Sequence, residues 1–202
     1  ELINSAKESA LAGKILDKMH IIALLDIDPK SEECKKLGEA AREIASEFCK
    51  DRAYIWAAIG VDYKPCKMNC HYCSLGEKWG IVKDESELSE EEIVEIANEY
   101  VQNGVRWIVL RTTEFYSVDK LIKIAKRVRK EVPGEYELGA NIGEFDRETT
   151  EKMVEAGLEF VYHNLRIREG KDTNFDPNDR IATLEAIKNS PLKLGSFVEP
   201  IG

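Results

Sequence analysis

The chain has 202 residues, of which 33% are charged and 43% hydrophobic, enough for one domain with a real core. Its net charge of −9 and the absence of a basic tract argue against nucleic acid or an anionic membrane as the main partner. The apolar runs are short, so we expect no transmembrane helix or signal peptide, and the cysteine usage fits a reducing cytoplasm. The chain starts at Glu1 and stops just after a strand-like segment, and we expect it to be truncated or only partly ordered at its C-terminus.

The first 50 residues predict helices. Apolar residues at positions 6, 11, 15 and 19 form one stripe at roughly helical spacing. Ser31 predicts the start of a further helix, whose periodic apolar face continues to Phe48. We interpret residues 1–50 as an N-terminal helical extension of the main domain.

From residue 51 onward, strands alternate with helices. Short apolar runs predict five strands, the first of them buried, at 54–61, 105–110, 136–142, 159–163 and 192–198. Capping and breaker residues predict the helices between them, at about 89–103, 117–131, 146–156 and 178–189. Strands separated by helices of this length indicate βαβ units. The sequence therefore predicts an α/β fold, a partial TIM-type (β/α) barrel with parallel strands over residues 51–202.

A cysteine motif follows the first predicted strand. Cys66, Cys70 and Cys73 have the spacing C-x3-C-x2-C, with Tyr72 just before the last cysteine. Thiolates are soft ligands that suit an iron–sulfur cluster. Three cysteines leave one iron of a [4Fe–4S] cluster without a protein ligand, and that iron can bind a substrate or a cofactor. In (β/α) barrels the active site lies at the C-terminal ends of the strands, which is where this loop falls.

Other roles for the three cysteines remain open. A structural zinc site needs four ligands, and His71 is poorly placed to share the metal of its neighbour Cys70. Cys34 or Cys49 would have to supply the fourth ligand, although each is more simply interpreted as a packed thiol. A disulfide needs an oxidising compartment, and a closed electron-carrying cluster needs a fourth thiolate.

The cysteine spacing and the tyrosine resemble the signature of the radical S-adenosylmethionine (SAM) superfamily. Most of residues 50–202 resembles its biotin synthase branch, which includes biotin and lipoyl synthases, a hydrogenase maturase and methylornithine synthase. The resemblance implies that the three cysteines hold a [4Fe–4S] cluster whose open iron binds the amino and carboxylate groups of SAM. Reductive cleavage of SAM then gives a 5'-deoxyadenosyl radical, which removes hydrogen from an unactivated C–H bond.

The resemblance also implies SAM-binding residues on the loops. Tyr72 would lie near the adenine. Thr112, Thr113 and Glu114 follow the second strand, where relatives carry a turn that binds the SAM amino group, and Glu114 would accept a hydrogen bond from the ammonium. Asn164, in a His-Asn-Leu segment after the fourth strand, would contact SAM or substrate. Without the resemblance, Glu114 would be interpreted as a solvated loop acid.

Two further segments are similar to the family with departures. Arg166 stands where relatives carry an acid that holds the ribose hydroxyls, so it is expected to bind a carboxylate of SAM or substrate, with Arg168 and Arg180 as alternatives. Ser196 and Glu199 lie where the family has a glycine-rich fifth strand beside the adenosine, although a simple strand end with a turn is an equal interpretation.

One departure concerns a second cluster. Biotin synthase holds a sulfur-donating cluster with cysteines on inner barrel strands. At the corresponding places this chain has Arg111, the stretch 139–141 and Gly195, so that donor site is absent from the predicted barrel. A second cluster would need Cys34, Cys49 or residues beyond the end of the chain.

These features predict a cytoplasmic radical SAM enzyme of cofactor biosynthesis. Its substrate would be a small molecule or a carrier-bound group, and its electron donor a reduced ferredoxin or flavodoxin. Sulfur insertion of the lipoyl or biotin type is the leading expectation for the reaction, with cofactor maturation or carbon-skeleton rearrangement as the alternative. The sequence assigns no catalytic residue.

Overall fold

The computed structural model describes residues 1–196, which divide into a compact unit over Glu1–Ala53 and a second unit that begins at Tyr54. The first unit consists of three helices, α1 (Leu2–Leu11), α2 (Lys18–Leu25) and α3 (Glu32–Cys49). Ser31 caps α3 as predicted, because its side chain accepts a hydrogen bond from the amide of Cys34. No helix in residues 1–196 is both long and apolar enough to cross a membrane.

The predicted single apolar stripe through the first 19 residues is wrong. Helix α1 ends at Leu11, and Gly13 adopts a φ of +69°, a left-handed conformation that ends a helix readily. A new helix starts only at Lys18, where the side chain of Asp17 accepts a hydrogen bond from the amide of His20. Ile15 falls in the connection and is 97% exposed, so the spacing of apolar residues did not reflect one helix.

The five main strands and the four helices between them follow the predicted order, whereas two short strands and a 3-10 helix in the region of the cysteine motif were not predicted. Its elements are β1 (Ile55–Gly60), β2 (Asp62–Tyr63), a short 3-10 helix (Glu77–Trp79), β3 (Ser86–Glu87), α4 (Glu90–Gln102), β4 (Val105–Arg111), α5 (Val118–Glu131), β5 (Glu137–Asn141), α6 (Arg147–Glu155), β6 (Phe160–Tyr162), α7 (Pro177–Lys188) and β7 (Lys193–Gly195). All five main strands run parallel in the order β1-β4-β5-β6-β7, while β2 and β3 form a separate antiparallel pair. The α/β class is thereby confirmed, and over the described residues the sheet is open.

The hydrophobic core lies on the face of the sheet that packs against the helices. Successive strand residues point to opposite faces, so Ile108 and Leu110 of β4 enter the core while Val109 and Arg111 face the other way. Leu121 of α5 is fully buried in the same core. Each such side chain contributes about 1.5–3 kcal/mol of burial free energy. The opposite face is therefore left for the functional site.

Capping residues fix where the helices begin. Ser89 and Glu92 form a reciprocal capping box at the start of α4, and Asp146 accepts a hydrogen bond from the amide of Thr149 at the start of α6. Both predicted starts are confirmed. The prediction of a buried first strand is wrong in its first half, because β1 is an edge strand of the described sheet and its Trp56 is 50% exposed.

Candidate functional site

A cavity of about 620 Å³ lies at the C-terminal ends of the parallel strands. The cysteine loop forms one side of it. The segments that follow β4, β5 and β6 contribute to the rest, together with residues of the strands and of α7. The predicted site residues that line it are Cys66, Cys70, Cys73, Tyr72, Thr112, Thr113, Glu114, Asn164, Arg166 and Arg180. The fold therefore brings together residues that are up to 114 positions apart in the sequence.

The cysteine loop is held together by backbone hydrogen bonds between its own residues. The amide of Cys66 donates to the carbonyl of Leu75 at 2.7 Å, and the amide of Glu77 donates back to the carbonyl of Cys66 at 3.0 Å. The amide of Cys73 donates to the carbonyl of Cys70 at 3.2 Å. This arrangement directs three half-buried thiols toward the same cavity.

The thiols influence one another electrostatically. Burial raises the pKa of the Cys66 thiol, and the neighbouring Cys73 raises it further. Burial likewise raises the pKa of the Cys70 thiol, to which Cys73 and Cys66 add.

The donor set fits an iron–sulfur cluster in its chemistry, because it consists of three thiols. Within residues 1–196, no group of three or more His, Cys, Asp or Glu side chains is arranged around one metal position. In a [4Fe–4S] cluster each thiolate binds a different iron, so its cysteines surround a group of atoms and do not converge on a point. Cys66, Cys70 and Cys73 therefore match a cluster in donor type and in their common wall of the cavity.

The loop after β6 holds the cysteine loop in place. The amide of Asn174 donates to the carbonyl of Met68 at 2.8 Å, and its side-chain nitrogen Nδ2 donates to the carbonyl of Lys67 at 2.7 Å. The amide of His71 donates to the carbonyl of Asp172 at 2.9 Å. Sequence reasoning missed Asp172 and Asn174, because a polar loop residue gives no local sign of a partner about 100 positions away.

A buried charge network forms another wall of the cavity. The Arg180 guanidinium places Nη1 at 2.8 Å from Oε1 of Glu144, Nη2 at 3.8 Å from Oε2 of Glu114, and Nε at 3.9 Å from Oε2 of Glu169. Its Cζ atom lies 3.5 Å from the ring centroid of Phe175. Arg180 therefore lies among three carboxyl groups, and Arg166 is a second cation beside one of them, Glu169.

Glu114, on the segment after β4, is the carboxylate of this network that lines the cavity. Burial raises its pKa to about 7, while the nearby Arg180 opposes the rise and Glu144 adds to it. The carboxyl group is therefore poised to ionise when a cation arrives beside it. A cationic ligand would be a better partner for Glu114 than water is in this half-enclosed position.

Glu144 and His163 were missed by the sequence analysis. Nε2 of His163 lies 3.2 Å from Oε2 of Glu144, and the hydroxyl of Thr183 donates to the same oxygen. Burial by itself would raise the pKa of Glu144, but His163, Thr183 and Arg180 together hold it below its usual value. Glu144 therefore ties α7, through Arg180 and Thr183, to the ends of β5 and β6. The sequence signal was present in the segment that contains His163, but only its neighbour Asn164 was chosen.

Arg166 and Tyr72 lie together at the edge of the cavity. The Arg166 guanidinium is 5.4 Å from the centre of the Tyr72 ring, and its Nη1 is 3.7 Å from Oε2 of Glu169. The backbone amide of Arg166 also donates to Oε2 of Glu169, at 3.1 Å. Arg168, by contrast, is turned toward Asp172 and does not line the cavity.

The remaining predicted residues are placed as follows. Thr113 donates from its amide and its hydroxyl to buried Asp62, which fixes the turn after β4. The amide of Thr112 donates to the carbonyl of Asn141 at 2.9 Å. Asn164 is buried, and its Oδ1 accepts a hydrogen bond from the Ser196 hydroxyl. The predicted residue Glu199 lies outside the described residues.

The chain is similar in sequence to known proteins. A family model described as "Radical SAM superfamily" matches residues 63–191. Biotin synthase from Citrifermentans bemidjiense is 23% identical, over 96% of this chain and 61% of the relative. Biotin synthase from Brachyspira hyodysenteriae is 27% identical, over 74% of this chain and 48% of the relative. The chain thus spans about half to three fifths of the length of these relatives.

Solved structures share the fold. HydG, a maturase of the [FeFe]-hydrogenase, superposes with a TM-score of 0.81 at 17% identity, over 98% of this chain and 46% of the other. Methylornithine synthase (PylB) superposes with a TM-score of 0.78 at 19% identity, over 95% of this chain and 58% of the other. SuiB from Streptococcus suis, bound to S-adenosylmethionine, superposes with a TM-score of 0.52 at 12% identity, over 96% of this chain and 44% of the other. The open parallel sheet is thus a partial barrel of the kind found in these proteins.

Proposed function

The chain belongs to the radical SAM superfamily, and we propose that it is an enzyme that cleaves SAM reductively in order to remove hydrogen from an unactivated C–H bond of a small-molecule or carrier-bound substrate. The observation that carries this proposal is the convergence of three cysteines, a buried carboxylate and a buried guanidinium on one cavity. The reductant would be a reduced ferredoxin or flavodoxin. The free cysteines of residues 1–196 are compatible with the reducing cytoplasm proposed from the sequence.

The cofactors of the superfamily are a [4Fe–4S] cluster and SAM. When bound, they supply the one-electron chemistry, and the protein supplies binding, orientation and exclusion of water. Cys66, Cys70 and Cys73 would hold the cluster as thiolates. Since burial raises the pKa of Cys66 and Cys70 in the free chain, cluster binding would release protons from these thiols.

The amino-acid end of SAM carries both an ammonium and a carboxylate. Glu114 and Arg180 offer the complementary pair of charges, with 3.8 Å between Oε2 and Nη2. Their side chains are 11% and 6% exposed, so water screens them little and charge-assisted hydrogen bonds to a ligand would be strong. We assign Glu114 to the ammonium and Arg180 to the carboxylate.

Asn164, Tyr72 and Arg166 would orient the rest of SAM. The Asn164 side chain is held by the Ser196 hydroxyl, which fixes its amide orientation at the end of β6. Arg166 lies against the Tyr72 ring and beside Glu169, so it would position the tyrosine. Arg180 is assigned the SAM carboxylate in preference to Arg166 because it lies beside Glu114, the proposed partner of the ammonium.

The cysteines that line the cavity bear on the reaction that follows hydrogen abstraction, because sulfur insertion needs a second cluster. Among the described residues, the cysteines that line it are the three of the C-x3-C-x2-C motif. Arg111 and Asn141 line the inner strands where the resemblance places ligands of a sulfur-donating cluster. Sulfur insertion would therefore need ligands from elsewhere. We propose rearrangement or fragmentation chemistry of the cofactor-building kind, with sulfur insertion as the second candidate.

Iron analysis separates the two candidates. After anaerobic reconstitution with iron and sulfide, one cluster corresponds to about four irons per chain, and two [4Fe–4S] clusters to about eight. We expect about four, with no change in the Cys34→Ala, Cys49→Ala double variant. About eight irons in the parent chain and about four in the double variant would favour sulfur insertion.

A further inference from the structure

Arg111 is a cation of the cavity that the SAM site does not use. It is the last residue of β4, and its exposed side chain lines the cavity. Each of the other seven arginines of the second unit has a carboxylate within 4.0 Å. Over the described residues Arg111 has no such partner and no side-chain hydrogen bond. Its guanidinium is therefore available to a ligand.

The neighbours of Arg111 leave room for that ligand. In the sheet register, Arg111 pairs with Gly60 of β1 on one side and Asn141 of β5 on the other. A Cβ atom built on Gly60 would meet no heavy atom within 4 Å, so the protein does not fill the space above this neighbour of Arg111. Paired residues of parallel strands point to the same face, and this open space therefore lies on the face of the sheet from which Arg111 lines the cavity.

The cavity floor near Arg111 is apolar. Val109 precedes it on the same face of β4, and Trp56 of β1 and Tyr162 of β6 line the same cavity. The Asn141 side chain, which pairs with Arg111 across the sheet and also lines the cavity, donates from Nδ2 to the carbonyl of Tyr162 at 3.2 Å. A floor of this kind suits a hydrocarbon body, while the guanidinium suits its charged end.

We propose that Arg111 binds an oxyanion of the substrate, a carboxylate or a phosphate, and that the substrate is an anionic molecule with an apolar body. The planar guanidinium donates two parallel hydrogen bonds to either group. This inference rests on the proposed function, because it assigns the part of the cavity that the SAM residues leave free. Arg111 is a specificity-determining residue in this account, distinct from Glu114 and Arg180.

The test measures probe binding to the reconstituted, unreduced protein at saturating SAM. The probes are hexanoate, hexyl phosphate and the neutral hexanamide, and ligand-observed NMR gives their dissociation constants. The variants are Arg111→Gln and Arg111→Lys. Arg106→Gln is the matched control, because Arg106 lies on the same strand but outside the cavity and pairs with Glu135. SAM affinity and thermal unfolding are measured for each protein.

We expect at least one anionic probe to bind the parent protein and the Arg106→Gln control about 10-fold or more tightly than hexanamide does. Arg111→Gln should remove this preference, and Arg111→Lys should retain part of it, with SAM affinity and unfolding unchanged. Hexanoate and hexyl phosphate distinguish a carboxylate from a phosphate. Equal binding of charged and neutral probes, or an unchanged preference in Arg111→Gln, would overturn the inference.

Two other outcomes have separate meanings. Loss of SAM affinity in Arg111→Gln would show that the guanidinium serves SAM and would overturn the substrate assignment. Failure of the parent protein to bind SAM at all would contradict the proposed function and the substrate assignment with it. In that case Arg111-dependent binding of an anionic probe would identify an anion site unrelated to SAM.

Discussion

The Asn174 side chain donates a hydrogen bond from Nδ2 to the carbonyl of Lys67 at 2.7 Å, joining the loop after β6 to the cysteine loop. Its backbone amide makes a second bond, to Met68, at 2.8 Å. The same loop begins close to Asn164 and Arg166, which line the cavity. One connection therefore ties the proposed cluster loop to the proposed SAM residues and fixes their spacing.

Asn174→Ala should weaken this connection while the fold persists. One exposed side-chain hydrogen bond is worth about 1 kcal/mol, so we expect about fivefold faster iron loss to a chelator from the reconstituted protein. The matched control is Asn189→Ala, which removes a similar bond to the carbonyl of Glu185 at the end of α7. Equal rates in the two variants would show that the Asn174 bond does not stabilise the cysteine loop.

Glu114→Gln should reduce SAM affinity without loss of iron. The charge-assisted bond to the SAM ammonium is worth about 1.5–3 kcal/mol, which corresponds to about 10- to 100-fold in the dissociation constant. Equilibrium binding of SAM to the reconstituted variant is the measurement. Glu148→Gln is the control, since Glu148 pairs with Lys152 on the exposed face of α6. Unchanged affinity would remove Glu114 from the SAM site.

Gly143→Ala tests the same site through the backbone. A Cβ atom at Gly143 would overlap the backbone oxygen of Glu114 and approach its Oε1 to 3.1 Å, so the segment after β4 must shift. We expect SAM affinity to fall by about 10-fold or more, as in Glu114→Gln. Gly60→Ala is the control, because its added Cβ meets nothing within 4 Å. SAM titration of both variants should separate them, and similar affinities would contradict the placement of Glu114.

Arg180→Gln should destabilise the fold more than any exposed arginine substitution. It leaves Glu114, Glu144 and Glu169 without their shared cation, and breaking a buried ion pair costs about 3–5 kcal/mol. Urea unfolding of the variant should show this loss. Arg147→Gln, on the surface of α6, should stay within about 0.5 kcal/mol of the parent. A loss as small as that of the control would mean that the network is not a stabilising one.

The fold was largely predictable because its signals are local. The Ser89 capping box, the Asp146 cap and the short apolar runs each depend on a few neighbouring residues, and they gave the correct order of elements. The single N-terminal stripe failed, since four apolar residues at helical spacing also fit two helices with a break at Gly13. The first strand was wrongly expected to be buried along its whole length. A short apolar run does not show whether a strand lies at the edge or in the centre of a sheet.

The candidate site was predictable only in part. The cysteines and the segments after β4 and β6 were found because their order along the chain, combined with a parallel sheet, places them at one edge. Glu144, Asp172 and Asn174 were missed, since their importance arises from partners distant in sequence or on other elements. Arg166 was chosen as the carboxylate ligand with Arg168 and Arg180 as alternatives, and the sequence could not show that Arg180 is the one that lies beside Glu114.

The most direct test of the account is the formation of 5'-deoxyadenosine. The reconstituted protein is incubated anaerobically with SAM and dithionite, and the nucleoside is quantified by chromatography. We predict formation of 5'-deoxyadenosine by the parent protein and by the Cys34→Ala, Cys49→Ala control, and none by single alanine variants of Cys66, Cys70 or Cys73. SAM cleavage at the parental rate by a variant lacking Cys70 would contradict the central claim. Failure of the fully reconstituted parent protein to form 5'-deoxyadenosine would contradict it as well.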